Sequence, residues 1–231
     1  MKFSLAVSVF SLALAGIGRL SGQVATPNET GEARAERFLT AMGGRDAWAE
    51  VKSYVLRAIH YEAERAPYAN TIWNDFASPR VRIEAKSDEL DARRAMDGDR
   101  GWRWRDGKVT PFTPEQLRDE QRWWESNIYR TLHRLAVRDP GLTVRAAGAN
   151  RLEVWRADGV RLNWFELNRA GEPLRFGTWD SEEGSVFGPL FAQGKVKLAK
   201  WGTVVSGTWR YEVRAFTPLE KLPADVSFSA P

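Results

Sequence analysis

The sequence contains no cysteine among its 231 residues. Disulfide bonds are therefore excluded, although an oxidising compartment would allow them. The same absence excludes attachment of a lipid to a processed N-terminal cysteine. The chain is nevertheless long and apolar enough to form a core, since 43% of its residues are hydrophobic and 12% are aromatic.

Residues that often carry catalysis are scarce or lack the required spacing. The two histidines, His60 and His133, do not form a local metal-binding pair. No G-x-S-x-G nucleophile motif occurs, and Ser185 stands in the loop-like segment "EGSVFG". The acidic pair Glu182–Glu183 would suit glycoside hydrolysis only if the fold brought two carboxylates within about 5–10 Å. We predict a protein that is not an enzyme and that uses no cofactor and no metal ion.

Neither sign of charge is concentrated in one part of the chain. The 34 basic and 30 acidic residues give a net charge of +4 at neutral pH, and the longest basic run is "ARR" at 92–94. A nucleic-acid-binding surface is normally a basic cluster or stripe. The charge pattern therefore predicts no nucleic-acid partner.

The one long apolar run is at the N-terminus. Lys2 precedes the uncharged run "FSLAVSVFSLALAGIG" at 3–18, and "ALA" at 13–15 offers a small-residue cleavage site. The run is shorter than the roughly 20 residues of a membrane-spanning helix. We predict that residues 1–25 are the signal peptide and processing region of an exported protein, and that 26–231 form one domain. Retention of the run as an anchor is the alternative.

Tryptophan is abundant, with eleven residues spread over the chain. Most fall in short alternating segments that are separated by turn signals such as Asp97–Gly98 and Asp106–Gly107, the pattern of an antiparallel sheet. In "GWRWR" at 101–105, Trp102 and Trp104 share one face of a strand, and the arginines take the other. We expect both indoles on the inner, apolar face and the arginines in water.

A long helical segment interrupts these strands at 114–139. Thr113, Pro114 and Gln116 have the arrangement of a capping box with proline in the first turn. The apolar residues that follow recur at helical spacing on one face: Leu117, Trp124, Ile128, Leu132 and Leu135. The spacing predicts one continuous helix that covers a face of the sheet like a lid.

Three stretches resemble the LolA-like superfamily of periplasmic lipoprotein and lipid carriers. They are "AERFLTAMGGRDAWAEVKS" at 35–53, "RRAMDGDRGWRWRDGKVTPFTPEQ" at 93–116 and the C-terminal stretch from "GPLFAQG" at 188 to "FSAP" at 231. The resemblance implies an α+β, mainly β fold, in which a strongly curved antiparallel sheet forms an unclosed barrel and helices cover its concave face. It also implies an apolar groove that accepts acyl chains without covalent chemistry.

The expected function is that of a non-catalytic carrier or binder of lipids or lipid-modified proteins in the periplasm of a Gram-negative-type bacterium. Its partners would be acyl chains, and envelope membrane proteins as donors or acceptors, and the protein would be a monomer. Outer-membrane lipoprotein sorting is one form of this role, although no arginine aligns with the one that latches the lid in the well-studied carriers. The residues expected to line the ligand are Trp102, Trp104, Trp124, Ile128, Leu132 and Leu135.

Two other functions stay open at this point. One is an envelope sensor or protein-interaction module with the same fold, whose groove holds a peptide under a static helix. The other is a carbohydrate-binding β domain that stacks sugars on exposed tryptophans.

Overall fold

The computed structural model describes residues 29–179 and 181–231. The predicted signal peptide and processing region at 1–25 lies outside the described residues. Within the described part of the chain, no helix has both the length and the apolar composition that crossing a membrane requires.

The described residues form four helices: α1 (Gly31–Ala41), α2 (Arg45–Glu50), α3 (Pro114–Glu125) and α4 (Ile128–Ala136). The strands of the first half are β1 (Ser53–Glu62), β2 (Arg65–Asp75), β3 (Arg80–Lys86), β4 (Asp91–Asp97), β5 (Arg100–Arg105) and β6 (Lys108–Pro111). Those of the second half are β7 (Leu142–Ala147), β8 (Arg151–Arg156), β9 (Arg161–Leu167), β10 (Pro173–Thr178), β11 (Ser185–Phe187), β12 (Leu190–Gln193), β13 (Val196–Ala199), β14 (Trp201–Val204) and β15 (Trp209–Leu219).

Thirteen of these strands form one antiparallel sheet in the order β6-β5-β4-β3-β2-β1-β15-β14-β11-β10-β9-β8-β7. The last strand, β15, pairs with the first, β1, and thereby joins the two halves of the chain. The curved sheet is not closed, because β6 and β7 are its two edges. Strands β12 and β13 form a separate hairpin. The predicted fold class, a mainly β, unclosed antiparallel barrel with helices on its concave face, is confirmed.

The turns follow the signals in the sequence. Asp106 and Gly107 connect β5 to β6, and their φ angles of 51° and 76° are both positive, as a type I′ hairpin turn requires. The next residues then bring Phe112 back across the sheet. A side chain at Gly101 would collide with that ring, since its Cβ would lie 2.0 Å from a Phe112 ring carbon.

The core lies between the helices and one face of the sheet, which we call the inner face. Phe38 of α1 packs on Phe165 of β9 with ring centroids 4.6 Å apart. Trp48 of α2 stacks on Tyr129 of α4, and both rings contact Phe216 of β15. The core therefore joins both halves of the sheet through the helices.

The predicted single helix at 114–139 is two helices. The capping box forms at Thr113, where the threonine side chain accepts from the Gln116 backbone and the Gln116 side chain accepts from the Thr113 backbone. The first helix, however, ends at Glu125. Asn127 then accepts hydrogen bonds from Tyr129 N at 3.1 Å and Arg130 N at 3.2 Å, and so caps a second helix. A side chain that satisfies the first N–H groups of a new helix favours a start at that point.

The opposite, outer face carries a second apolar cluster beneath the C-terminal segment 220–231. The indole N–H of Trp102 donates to the Phe228 carbonyl at 2.7 Å. Arg82 donates to the Ser227 carbonyl, so the segment is held by hydrogen bonds as well as by packing. The cluster consists of Ala95, Trp102, Trp104, Leu222, Val226 and Phe228.

Candidate functional site

A cavity of about 410 Å³ lies between the inner face of the sheet and the junction of α3 with α4. This volume is within the range of roughly 300–1,000 Å³ that is typical of small-molecule sites. We call α3, α4 and the two residues between them, Ser126 and Asn127, the helical cover.

Most of the cavity wall is apolar or aromatic. Strands from both halves of the sheet contribute, because β15 brings the halves together at the centre. The cover contributes Trp123, Ile128 and Tyr129. The apolar and aromatic lining residues are Tyr54, Leu56, Ile72, Ile83, Trp123, Ile128, Tyr129, Phe176, Phe187, Trp209 and Tyr211.

Asn127 fixes the cover to the wall at the junction. Its side-chain nitrogen donates to the Tyr54 hydroxyl at 3.1 Å, while its oxygen caps α4. Asn74 donates to the same hydroxyl at 3.5 Å. Burial raises the pKa of Tyr54 well above that of a free tyrosine, so this hydroxyl stays protonated.

Other hydrogen bonds hold α3 to the sheet. The Trp124 indole donates to the Asp75 carbonyl at 2.7 Å, and Gln121 donates to the Gly98 carbonyl at 3.1 Å. The Arg130 guanidinium lies 3.7 Å from the centre of the Trp124 ring. These contacts join the cover to turns at the ends of strands, away from the cavity wall itself.

Four polar residues lie together on the first half of the wall: His60, Tyr68, Asn70 and Arg94. Burial lowers the pKa of His60 to about 4, so the imidazole is neutral at physiological pH. Burial, with the hydrogen bond that Tyr68 donates to Glu62, raises the pKa of Tyr68 to about 12. Neither residue is therefore poised as a charged acid or base at neutral pH.

Arg94 brings a positive charge to the wall. Its Nε lies 2.8 Å from Glu120 Oε1 on α3. The Arg94 side chain is 41% exposed, so its guanidinium stands where the wall meets solvent. Burial raises the pKa of the Glu120 carboxyl, and the nearby Arg94 and Arg103 guanidiniums oppose that rise.

The six predicted lining residues separate into three groups. Ile128 lines the cavity. Trp124, Leu132 and Leu135 belong to the buried core beneath the helices and are not among the lining residues. Their helical spacing identified the buried face of the cover correctly, but most of that face packs against core side chains and not against the cavity. Ligand contact by Ile128 stays a prediction.

The prediction that Trp102 and Trp104 face inward is wrong. Pairing of β4 with β5 aligns Trp102 with Ala95 and Arg103 with Arg94. Arg94 lines the cavity, so Arg103 shares its face, and the two indoles lie on the outer face under the C-terminal segment. Alternation alone shows that two residues share a face. Here the outer face is also covered, and that cover comes from residues more than a hundred positions away.

Sequence reasoning missed most of the wall, including Tyr54, Asn70, Arg94 and Tyr211. The strand pattern carried a usable signal at β3, where Val81 and Ile83 alternate with arginines and mark the inner face. Among the described residues, no group of three His, Asp or Glu side chains is placed to hold a metal ion.

No protein-family model matches the sequence, and no curated protein matches it either. Similar solved structures include a LolA superfamily protein, NE2245 from Nitrosomonas europaea, which is 10% identical; the match covers 88% of this chain and 99% of that chain with a TM-score of 0.43. LprF from Mycobacterium bovis is 10% identical, with 85% of this chain and 96% of that chain covered and a TM-score of 0.32. An uncharacterized conserved protein from Thermus thermophilus is also 10% identical. The match covers 78% of this chain and 91% of that chain, with a TM-score of 0.28.

Proposed function

We propose that this protein is a non-catalytic, exported carrier or binder of lipids or lipid-modified proteins, and that it holds an acyl chain in the cavity beneath the helical cover. The observation that carries the proposal is the cavity itself. It is walled largely by apolar and aromatic side chains and lies between a curved sheet and two short helices.

The energetics favour reversible binding of a hydrocarbon chain. Each methylene that leaves water for an apolar site contributes about 0.8 kcal/mol. The ordering of the chain and the loss of its free motion offset much of that gain. A chain of a dozen methylenes thus suits a carrier, because it can bind and still be passed on.

The polar groups on the wall suit binding better than catalysis. His60 and Tyr68 are both neutral at physiological pH, for the reasons given above. A general base needs a pKa near the working pH, and the pKa of His60 is about 4. These residues can accept or donate hydrogen bonds to a ligand without reacting with it.

The proposal is tested with the full chain in two measurements. Lipids that co-purify with it are identified by mass spectrometry, and uptake of the neutral dye N-phenylnaphthylamine is followed by fluorescence and reversed with fatty acids. We expect a bound lipid species and saturable dye uptake. Absence of both would contradict the carrier role, and recovery of one protein partner with an empty cavity would favour the interaction module instead.

A cavity variant and a surface control locate the binding. Ile128→Asp places a charge on the apolar wall but keeps a favourable residue in the first turn of α4. We expect it to weaken dye and lipid binding at least ten-fold. Val205→Asp, at a side chain that is 54% exposed, should leave binding unchanged. Equal affinity of both variants would place the lipid elsewhere.

A further inference from the structure

We propose that the ligand carries an anionic head group on its hydrocarbon chain, and that Asn70 and Arg94 bind the head while the chain lies on the apolar wall. This inference rests on the proposed function and adds the chemical class of the lipid. A carboxylate or a phosphate monoester would supply the head.

The cavity wall carries a positive charge. Among the nineteen described residues that line the cavity, one is charged at neutral pH, Arg94. Because His60 remains neutral to about pH 4, it adds no second charge. A single guanidinium beside an apolar cavity favours a ligand with one negative end, since an anion that accepts from arginine gains charge-assisted hydrogen bonds.

Asn70 presents an incompletely paired amide to the cavity. Asn70 is 6% exposed, lines the cavity, and has a side-chain oxygen with no hydrogen-bond partner among the described residues. A buried acceptor without a partner costs free energy. The O–H of a singly ionised phosphate monoester can donate to this oxygen, whereas a carboxylate has no donor to offer. The Asn70 nitrogen carries two N–H donors, which match the acceptor oxygens of a carboxylate or phosphate.

Asn70 and Arg94 lie near each other on the sheet. Asn70 on β2 pairs with Ala85 on β3, and the neighbouring Ile83 pairs with Arg94 on β4. Asn70 and Arg94 therefore share the inner face, two strands and two residues apart, which is roughly 12 Å at the backbone. Between them, Ala85 presents only a methyl group. A small head can lie in this interval and reach both side chains, and a chain can continue toward Ile72 and Leu56.

Glu120 competes with the head group at this site. Its carboxylate already pairs with Arg94 Nε, so an anionic head must share the guanidinium with it. A glutamine in its place would remove that competition and keep the shape of the side chain. Glu120→Gln should therefore strengthen binding of an anion, whereas a purely structural disturbance would weaken it.

The experiment compares ligands that differ in the head alone. Palmitate, hexadecyl phosphate and methyl palmitate compete with N-phenylnaphthylamine for the full chain and its variants. We expect both anions to displace the dye at concentrations at least ten-fold lower than the neutral ester. The two anions distinguish a carboxylate site from a phosphate site.

The variants assign this preference to named residues. Asn70→Leu and Arg94→Gln should each remove most of the preference, while Glu120→Gln should raise affinity for the anions a few-fold. The double variant Arg94→Gln/Glu120→Gln leaves no buried unpaired charge and serves if Arg94→Gln folds poorly. Affinity for methyl palmitate should stay within two-fold throughout.

The outcomes separate this inference from the function on which it rests. Equal displacement by all three ligands, with the variants unchanged, would overturn the anionic head and leave lipid binding intact. Failure of all three ligands to displace the dye would overturn both. A preference for the anions that survives Asn70→Leu and the double variant would overturn the assigned residues.

Discussion

At the scale of single residues, tryptophan fills both faces of the sheet. Trp48 is fully buried among the helices, and Trp164 is fully buried on the outer face, where its indole donates to the Ser181 carbonyl. The Arg151 guanidinium lies 4.2 Å from the centre of the Trp164 ring. Indoles on the outer face are thus covered by arginines and by chain segments that return over the sheet. The sheet therefore has a second apolar layer, on its outer face, that is shielded from water.

Trp102 is the residue for which sequence and structure make opposite predictions. Trp102→Phe removes the indole hydrogen bond to Phe228 on the outer face, so we expect a loss of about 1–2 kcal/mol in the free energy of unfolding. Hydrogen exchange in 222–228 should speed up, and lipid affinity should stay within two-fold. Trp104→Phe, at a half-buried ring in the same cluster, serves as the control. A ten-fold loss of lipid affinity in Trp102→Phe would contradict the outer-face position and indicate that this residue contacts the ligand.

At the scale of elements, the cover is built from two capped helices. The Thr113 side chain accepts from Gln116 N at 3.3 Å and starts α3, and Asn127 starts α4. The sequence predicted the first cap because its motif is local and complete. It did not predict the second, because a lone asparagine between two apolar stretches of matching period gives no warning of a break.

Loss of the first cap should loosen α3 specifically. Thr113→Ala removes one acceptor from an exposed helix start, and such changes cost about 1 kcal/mol. We expect amide exchange in α3 to rise several-fold while exchange in α1 and β1 stays constant, as measured by mass spectrometry. Thr113→Ser keeps the hydroxyl and should behave like the unaltered protein. Unchanged exchange in Thr113→Ala would show that packing alone holds this helix.

The contrast between local motifs and long-range contacts also explains which parts of the fold could be predicted from the sequence. Regular turns, alternating strands and one amphipathic segment were enough to predict a mainly antiparallel sheet under a helical cover. The closing contacts are long-range: β1 pairs with β15, and the C-terminal segment packs on β4 and β5. Those pairings decide which face of β5 is inner and where the cavity lies. No local pattern specifies them, and for this reason the sequence analysis placed Trp102 and Trp104 on the wrong face of the sheet.

At the scale of the whole molecule, the buried histidine at the cavity makes stability depend on pH. The pKa of His60 is about 4 in the folded chain, against 6.5 for a free histidine. The unfolded chain therefore binds more protons between these values, and the stabilisation by neutral His60 is complete above about pH 6.5 and is lost as the pH falls toward 4. The difference corresponds to roughly 3–4 kcal/mol at about 1.4 kcal/mol per pKa unit.

Urea unfolding at a series of pH values tests this dependence. His60→Gln should flatten the rise in the free energy of unfolding between pH 4 and pH 6.5 by up to that amount. His133 also has a pKa lowered by burial, so part of the slope should remain and should disappear only when His133→Gln is added. Lowered carboxyl pKa values, as at Glu29, contribute stability that is lost mainly below this range. An unchanged slope in His60→Gln would mean that the imidazole already meets water in the folded protein, and hence that this end of the cavity is wet before any ligand enters.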